Sequence, residues 1–258
     1  MRKTDSVERV AVALEALAAS PEGVGVTGVA DALAVHKATA SRLLGTLAGC
    51  GLVERDPATR LYRLGPRLVS IAGGAVARLP IVSQARAQLE QLTALTSETS
   101  NLAVLDRFHV VYVDQITPSE SVVMASWVGR RSPAHASSSG KVLLAFGDPR
   151  TREQLLARPL EALTERTVTD PVRLRATLDE VRRRGYARSI GELEDGLVTI
   201  AAPVLSEGRA VAAVSCSGPT FRIAPRDHAH LTRVVVTAAA AIGHRVDGRS
   251  SALASGSG

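Results

Sequence analysis

Three short segments of helical period, followed by two extended runs, fill residues 6–64, and that order in so short a stretch admits few folds. Over 6–18 the apolar positions Val7, Val10, Leu14 and Leu17 recur at intervals of three and four, the period of an amphipathic helix, with Asp5-Ser6 as its capping signal. "SPEGVG" over 20–25 ends it. A second helix over 27–33 opens on a threonine cap and turns Val29, Ala30 and Leu33 to one side. After the turn Ala34-Val35-His36, a third helix over 37–49 faces Leu43, Leu44 and Leu47 inward and stops at Gly49 and Gly51. "LVERDPATRLYRL" (52–64) then reads as a hairpin around an Asp-Pro turn. Three helices and a hairpin in that order outline a winged helix-turn-helix.

The third helix is the candidate reader of DNA. Short side chains at the start of such a helix let it approach base edges in the major groove, where an arginine can pair guanine O6 and N7 together. Lys37, Thr39, Ser41 and Arg42 meet that demand, and Arg55, Arg60 and Arg63 flank the hairpin turn, placed for the phosphate backbone or the minor groove. Net charge supports this only through its location. The chain is +6 overall, but residues 1–66 hold eight Lys/Arg against seven Asp/Glu, a net of +1. Residues 1–32 carry three bases and five acids, whereas 33–66 carry five bases and two acids, so the cationic half is the one holding the third helix and the hairpin.

"GPRLVSIAGGAVARLP" (65–80) forms a linker helix with Leu68, Ile71, Ala72 and Ala75 on one stripe. Beyond it, helices alternate with apolar strands. A helix near 82–97 precedes strands at "NLAVLD", "HVVYVDQI" and "SVVMASWV"; helices at 140–146 and 171–185 and strands near 186–189, 199–205 and 210–217 follow. A last helix spans 225–246, and the tail over 248–258 lacks apolar periodicity and is expected to be disordered. The fold class is α+β, divided as 1–66 DNA-binding, 67–80 linker, 81–247 second domain and 248–258 tail. No apolar run reaches the roughly 18 residues of a membrane span, so a cytoplasmic protein without membrane contact is expected. Cys50 and Cys216 read as two buried free thiols. His228 and His230 are two apart with no third ligand, so neither a metal nor a cofactor is expected.

"HASSSGKVLLAF" (135–146) admits three chemistries. A phosphate loop needs a glycine five residues before Gly-Lys and a hydroxyl after the lysine, and Lys141 is followed by Val142. Ser138 and Lys141 have the spacing of a nucleophile and its base, but the companion S-D-N and K-T-G elements of such enzymes occur nowhere in the chain. Catalytic residues are therefore not expected. The third use is non-catalytic: serines at a helix start, with free N–H groups and the helix dipole, suit a carboxylate. Ser215 and Ser217, two apart on a strand, face the same side of a sheet. Arg182-Arg183-Arg184 suit the C-terminal end of a helix, and Glu192, Glu194 and Asp195 read as a cap or loop clasp.

Several segments together carry a resemblance: "SVERVAVALEAL", "GVADALAVHKATASRLLGTLAGCGLVERDPATRLYRLGPRL", "HASSSGKVLLAF", "VRRRGYARSIGELEDGLVTIAAPVL" and "AAVSCSGP". In order and spacing, over roughly residues 6–246, the chain resembles the IclR family of bacterial transcriptional regulators. The resemblance implies an N-terminal winged helix on double-stranded operator DNA, a linker helix that helps dimerise, and a C-terminal GAF-like domain binding a small-molecule effector, often an organic acid. It implies homodimers or dimers of dimers, and a repressor is expected. The family's ligand positions fall on Ser138, Ser139, Ser189, Leu197, Thr199, Ser215 and Ser217. Met124 and Trp127 lie where they can wall the pocket, with core packing the alternative for each alone. The chain departs from the family pattern at Ala34, where glycine is common, at Ala38, where serine is common, and at Ser189, where an acid is frequent. The alternative function is a small-molecule sensor or serine/lysine acyl-transfer enzyme whose N-terminal module only mediates assembly.

Overall fold

The computed structural model describes residues 6–20, 22–76, 80–118, 126–223 and 227–255. The chain divides into two compact units, 1–78 and 79–258. Asp5 lies outside the described residues.

The first unit contains α1 (Ser6–Ala18), α2 (Val26–Ala32), α3 (Lys37–Gly49), the strands β1 (Val53–Arg55) and β2 (Tyr62–Leu64), and α4 (Arg67–Val76). Its core gathers Ala13, Leu17, Val29, Ala30, Leu44, Leu47, Val53 and Tyr62. Val7, expected on the apolar stripe of α1, is 74 % exposed, while Ala13 and Leu17 are buried and Val10 and Leu14 pack against the core. Tyr62 N–H and C=O both pair with Val24, at 2.9 Å each, which ties the segment before α2 to the wing. At the α2–α3 turn Ala34 adopts φ +51, the left-handed conformation that explains why a glycine suits this position. Cys50 caps α3 on the solvent side and is exposed, correcting the expectation of two buried thiols; only Cys216 is buried.

The second unit is a six-stranded antiparallel sheet in the order β5-β4-β3-β8-β7-β6, formed by β3 (Thr99–Asp106), β4 (His109–Ile116), β5 (Arg131–Pro133), β6 (Ala187–Ile190), β7 (Leu197–Ser206) and β8 (Arg209–Pro219). One face carries α5 (Pro80–Thr96) and α9 (His228–Ser255) over Leu102, Ile200, Val214 and Cys216. The opposite face carries α6 (Ser138–Phe146), α7 (Pro149–Leu156) and α8 (Pro171–Arg184) over Ala103, Tyr112, Ala201 and Ala213. Such small residues on alternate strand positions let α6 lie close to the sheet. α8 starts on Asp170, which accepts from Arg173 N–H at 2.7 Å, with Pro171 at its first turn, and ends on Gly185 in the left-handed region.

Three expectations need correction. "SVVMASWV" is not a strand where it is described: Ser126 and Trp127 have no regular structure and Val128-Gly129 form a turn, while residues 121–125 lie outside the described part. β5, which follows that turn, is the strand that pairs with β4. α7 went unread because its polar first turn, "PRTREQ", hides a short helix that buries Leu155 and Leu156. The tail is helical as far as Ser255, since "SSALAS" holds no breaker and its alanines and leucine favour helix without needing a buried face.

Candidate functional site

In the first unit, α3 presents Lys37, Ala38, Ser41 and Arg42 to solvent while Ala40, Leu44 and Leu47 are buried. Thr39 is half-buried and, with Arg42, borders a groove against Ser6 and Arg9 of α1. The structure therefore brings Lys37, Ser41 and Arg42 onto one exposed face and puts Thr39 at its flank. The wing turn is built by Asp56, whose Oδ1 accepts from Ala58 N–H at 2.8 Å and Thr59 N–H at 3.0 Å. Those backbone donors hold its carboxyl below the usual range. Arg60 sits at the end of the turn with φ +61. Arg55 stacks on Tyr62, 5.5 Å from the ring centre. Arg63 is drawn away from the tip: its Nε and Nη2 donate to the Glu22 carbonyl at 3.2 and 3.1 Å. The wing's three arginines thus differ in what their own fold asks of them.

In the second unit, strand register sets the site. Ser189 of β6 pairs with Thr199 of β7, Thr199 with Ser217 of β8, and Ser217 with Thr99 of β3. These four hydroxyls form one row across the α6 face of the sheet, because paired residues share a face. The next row on that face is Ala187, Ala201, Ser215, Asn101 and Gln115. Every hydroxyl of the first row is at least 90 % buried, as is Asn101. A narrow cleft with about 10 Å³ of free space, room for roughly one water, lies beside these rows. Thr99, Asn101, Thr199 and Ser217 give its lining polar groups, and Tyr112, Trp127, Leu193 and Leu197 largely apolar ones. The two aromatic rings meet edge to face with centres 5.4 Å apart. Burial pushes the Tyr112 hydroxyl up to about 12, so this side chain stays neutral. Trp127 is held by its backbone N–H, which donates to Gln115 Oε1 at 2.8 Å.

The hydroxyls are not equivalent. Ser137 caps α6 by accepting from Gly140 N–H at 3.0 Å, and Ser138 Oγ donates to Thr199 Oγ1 at 2.8 Å. Thr199, as the acceptor, keeps its own proton to donate. Ser189 Oγ donates instead to the Ala136 carbonyl at 3.1 Å, so it serves the loop before α6. Ser139 is buried in the first turn of α6 and Ser215 in the second row, neither lining the cleft. Met124 lies outside the described residues. Thr99, Asn101, Tyr112 and Leu193 were not foreseen. The readable signal for the first two was the polar run Thr99-Ser100-Asn101 at the start of an otherwise apolar strand.

Lys141 is the largest fully buried side chain, 1 % exposed, and its Nζ donates to Glu192 Oε1 at 2.5 Å. Burial lowers its pKa, and Glu192 opposes that shift. Glu192 belongs to the loop after β6, whose Gly191 and Glu192 carbonyls accept from Thr164 and Thr167 hydroxyls at 2.6 and 2.7 Å. This loop, which also carries Leu193, is the clasp anticipated for the acidic cluster. Ser138 and Lys141, three positions apart on one turn, are committed to different partners, so the hydrogen bond of a nucleophile to its base is not formed between them. Among the described residues no three His, Cys, Asp or Glu side chains gather as a metal site, and no helix is long and apolar enough to cross a membrane.

The model of the IclR helix-turn-helix domain matches residues 6–57, and that of the bacterial transcriptional regulator IclR C-terminal region matches 73–244. The chain belongs to the IclR family. Among IclR relatives it is 34% identical over 236 residues to the HTH-type transcriptional regulator BhcR of Paracoccus denitrificans, covering 91% of this chain and 84% of that one. An IclR regulator from Alicyclobacillus acidocaldarius shares 31% identity and a TM-score of 0.78, covering 93% of this chain and 97% of its own. An IclR homologue from Microbacterium hydrocarbonoxydans, solved with 4-hydroxybenzoate, has 31% identity and a TM-score of 0.76 over 95% of this chain and 100% of that one. The winged helix-turn-helix and α+β fold thus carry the two halves of an IclR regulator, one for DNA and one for a small effector.

Proposed function

We propose that this IclR chain is a cytoplasmic repressor whose grip on its operator is loosened by a small organic acid bound in the cleft of the second unit. The observation that carries the DNA half is the stripe of Lys37, Ser41 and Arg42, which the packing of α3 leaves in solvent beside the arginine-bearing wing. Arg42 and Lys37 read base edges with Ser41 and Thr39, while Arg60 and Arg55 hold phosphates and Arg63 braces the wing. The effector half rests on the buried hydroxyl row and on the α6 N-terminus behind it, where Ser138 orients Thr199. α4 supports assembly as a homodimer or a dimer of dimers, because Ile71 on its apolar stripe is 56% exposed and Val69 beside it 73%. In a dimer the spacing of the two reading heads fixes the half-site spacing, so effector binding acts by changing it.

Binding to the chain's own upstream DNA, followed by fluorescence anisotropy, tests this reading. Arg42→Ala is expected to weaken specific binding by about tenfold to a hundredfold, the worth of one good base contact. Arg60→Ala should weaken all sequences alike and lower the salt dependence by about one unit of slope. Undiminished specific binding by Arg42→Ala would refute the assignment. Ser138→Leu, which fills the space before Thr199, is expected to bind operator normally yet lose release by the effector in a reporter assay. A variant that derepresses like the parent overturns the effector half.

A further inference from the structure

The chain leaves the first unit through α4, so the way α4 is fixed to α3 decides where the reading helix points. α4 buries little of itself: among its described side chains Leu68 is half-buried and the others are exposed. It is gripped at its start. There residues 65–67 lie against 50–52, the stretch that closes the C-terminal end of α3.

Both sides of this joint are built without slack. On the α3 side, Gly51 N–H bonds the Ala48 carbonyl and Leu52 N–H the Leu47 carbonyl, each at 2.9 Å, with Gly51 left-handed at φ +70. On the α4 side, Gly65 is buried and its N–H donates to the Leu52 carbonyl at 2.8 Å. A side chain at 65 would run into the Gly51 carbonyl. One such bond is a pivot, which fixes a distance and leaves rotation open. Arg67 supplies the second point. Its Cβ and Cδ lie 3.7 and 3.8 Å from where a side chain on Gly51 would begin, and its Nη1 donates to the Cys50 carbonyl at 2.8 Å. That carbonyl lies at the negative end of α3, past the reach of the helix's own donors, and a guanidinium suits it. Two separate points of contact turn the pivot into a set angle.

We propose that Arg67 is a positioning residue for operator recognition: by gripping the end of α3 it sets the angle between the reading helix and the linker helix, and with it the half-site spacing that a dimer accepts. This rests on the reading of the chain as an operator-binding dimer assembled along α4. DNA turns once in about 10–10.5 base pairs, so two heads held at one angle match one spacing. Heads free to swivel match several, each less tightly, because the angle is then ordered only on binding. Arg67 acts here through α3 and contacts no base.

The test uses the full chain and its own upstream DNA, by fluorescence anisotropy, with the operator in three forms: intact, with two base pairs inserted between the half-sites, and with a single half-site. The insertion turns one half-site by about 70° against the other, and the parent is expected to bind it about a hundredfold less tightly, the worth of the base contacts it misaligns. Arg67→Met, which keeps much of the stem and removes the donor, should cut that penalty to about tenfold or less and weaken the intact operator about threefold to tenfold. Its affinity for the single half-site should equal the parent's, since the head itself is unchanged. Arg67→Lys retains a charged donor and should restore most of the penalty. An Arg67→Met chain that keeps the parent's full penalty overturns the proposal and leaves the dimeric reading in place. So does one that loses the single half-site, because Arg67 then serves the fold of the head rather than its angle. A parent indifferent to the insertion, or one that does not bind this DNA, overturns both.

Discussion

Replacing Gly140 with alanine is expected to cost the second unit about 3 kcal/mol or more, the upper end of what overpacking costs. A Cβ at this position would sit 2.1 Å from the Ala134 carbonyl oxygen and 2.4 Å from its Cα, so the clash is with backbone, which cannot swing aside as a side chain can. Neither partner is free to retreat. Ala134 is fully buried and its N–H donates to the Phe108 carbonyl at 2.9 Å, just beyond β5, while Val142, Leu143 and Leu144 press α6 onto the sheet. Gly45 on α3 provides the control, since nothing lies within 4 Å of an added Cβ there. Gly45→Ala should gain up to about 1 kcal/mol of helix propensity. Thermal melts followed by circular dichroism separate the two, and a Gly140→Ala chain melting within a degree or two of the parent would show that α6 is not pinned as described.

That close approach also explains the site. By running its first turn against the 134–136 segment, α6 brings Ser138 within hydrogen-bond reach of Thr199 and lets Ser189 bond Ala136. The helix start, the loop before it and the hydroxyl row are therefore one connected unit.

What could be read beforehand follows physical range. The winged helix-turn-helix was legible because its signals are local: period in α1 and α3, glycines after α3, an Asp-Pro turn whose Asp56 makes its own hydrogen bonds. The cleft was half legible. Thr199 and Ser217 were found, but Thr99 lies opposite Ser217, and Asn101 opposite Ser215, only through the β3–β8 pairing, made across more than a hundred residues of chain. Trp127 was placed in a strand that is a loop, and Cys50 was placed inside although it caps α3 in solvent. Lys141 stands in α6, a helix buried on every side from Ser138 to Ala145. A lysine within one must find a counter-ion, and the acidic loop at 192–195 was the segment that had one to give.

That pairing sets the second large effect. Glu192→Gln keeps the shape of the side chain and removes its charge, leaving the Lys141 ammonium at 1 % exposure without a counter-ion. Breaking a buried pair from one side costs about 3–5 kcal/mol near neutral pH, and the lower figure applies here because Glu192 is 13 % exposed. The loss should be pH-dependent. Burial already places the folded pKa of Lys141 below its ordinary 10.5, and Glu192 supplies the two interactions that hold it up. Without them the folded value falls further. Between that value and 10.5 the unfolded chain binds a proton that the folded chain does not, so stability rises with pH across the window and is least below it. The melting temperature of Glu192→Gln is therefore expected to climb relative to the parent from pH 6.5 toward pH 9.5. Lys141→Met, which removes the buried cation while keeping its stem, should abolish that climb in the double variant and recover part of the lost stability. A Glu192→Gln chain as stable as the parent at every pH would mean that the clasp is held by Thr164 and Thr167 alone.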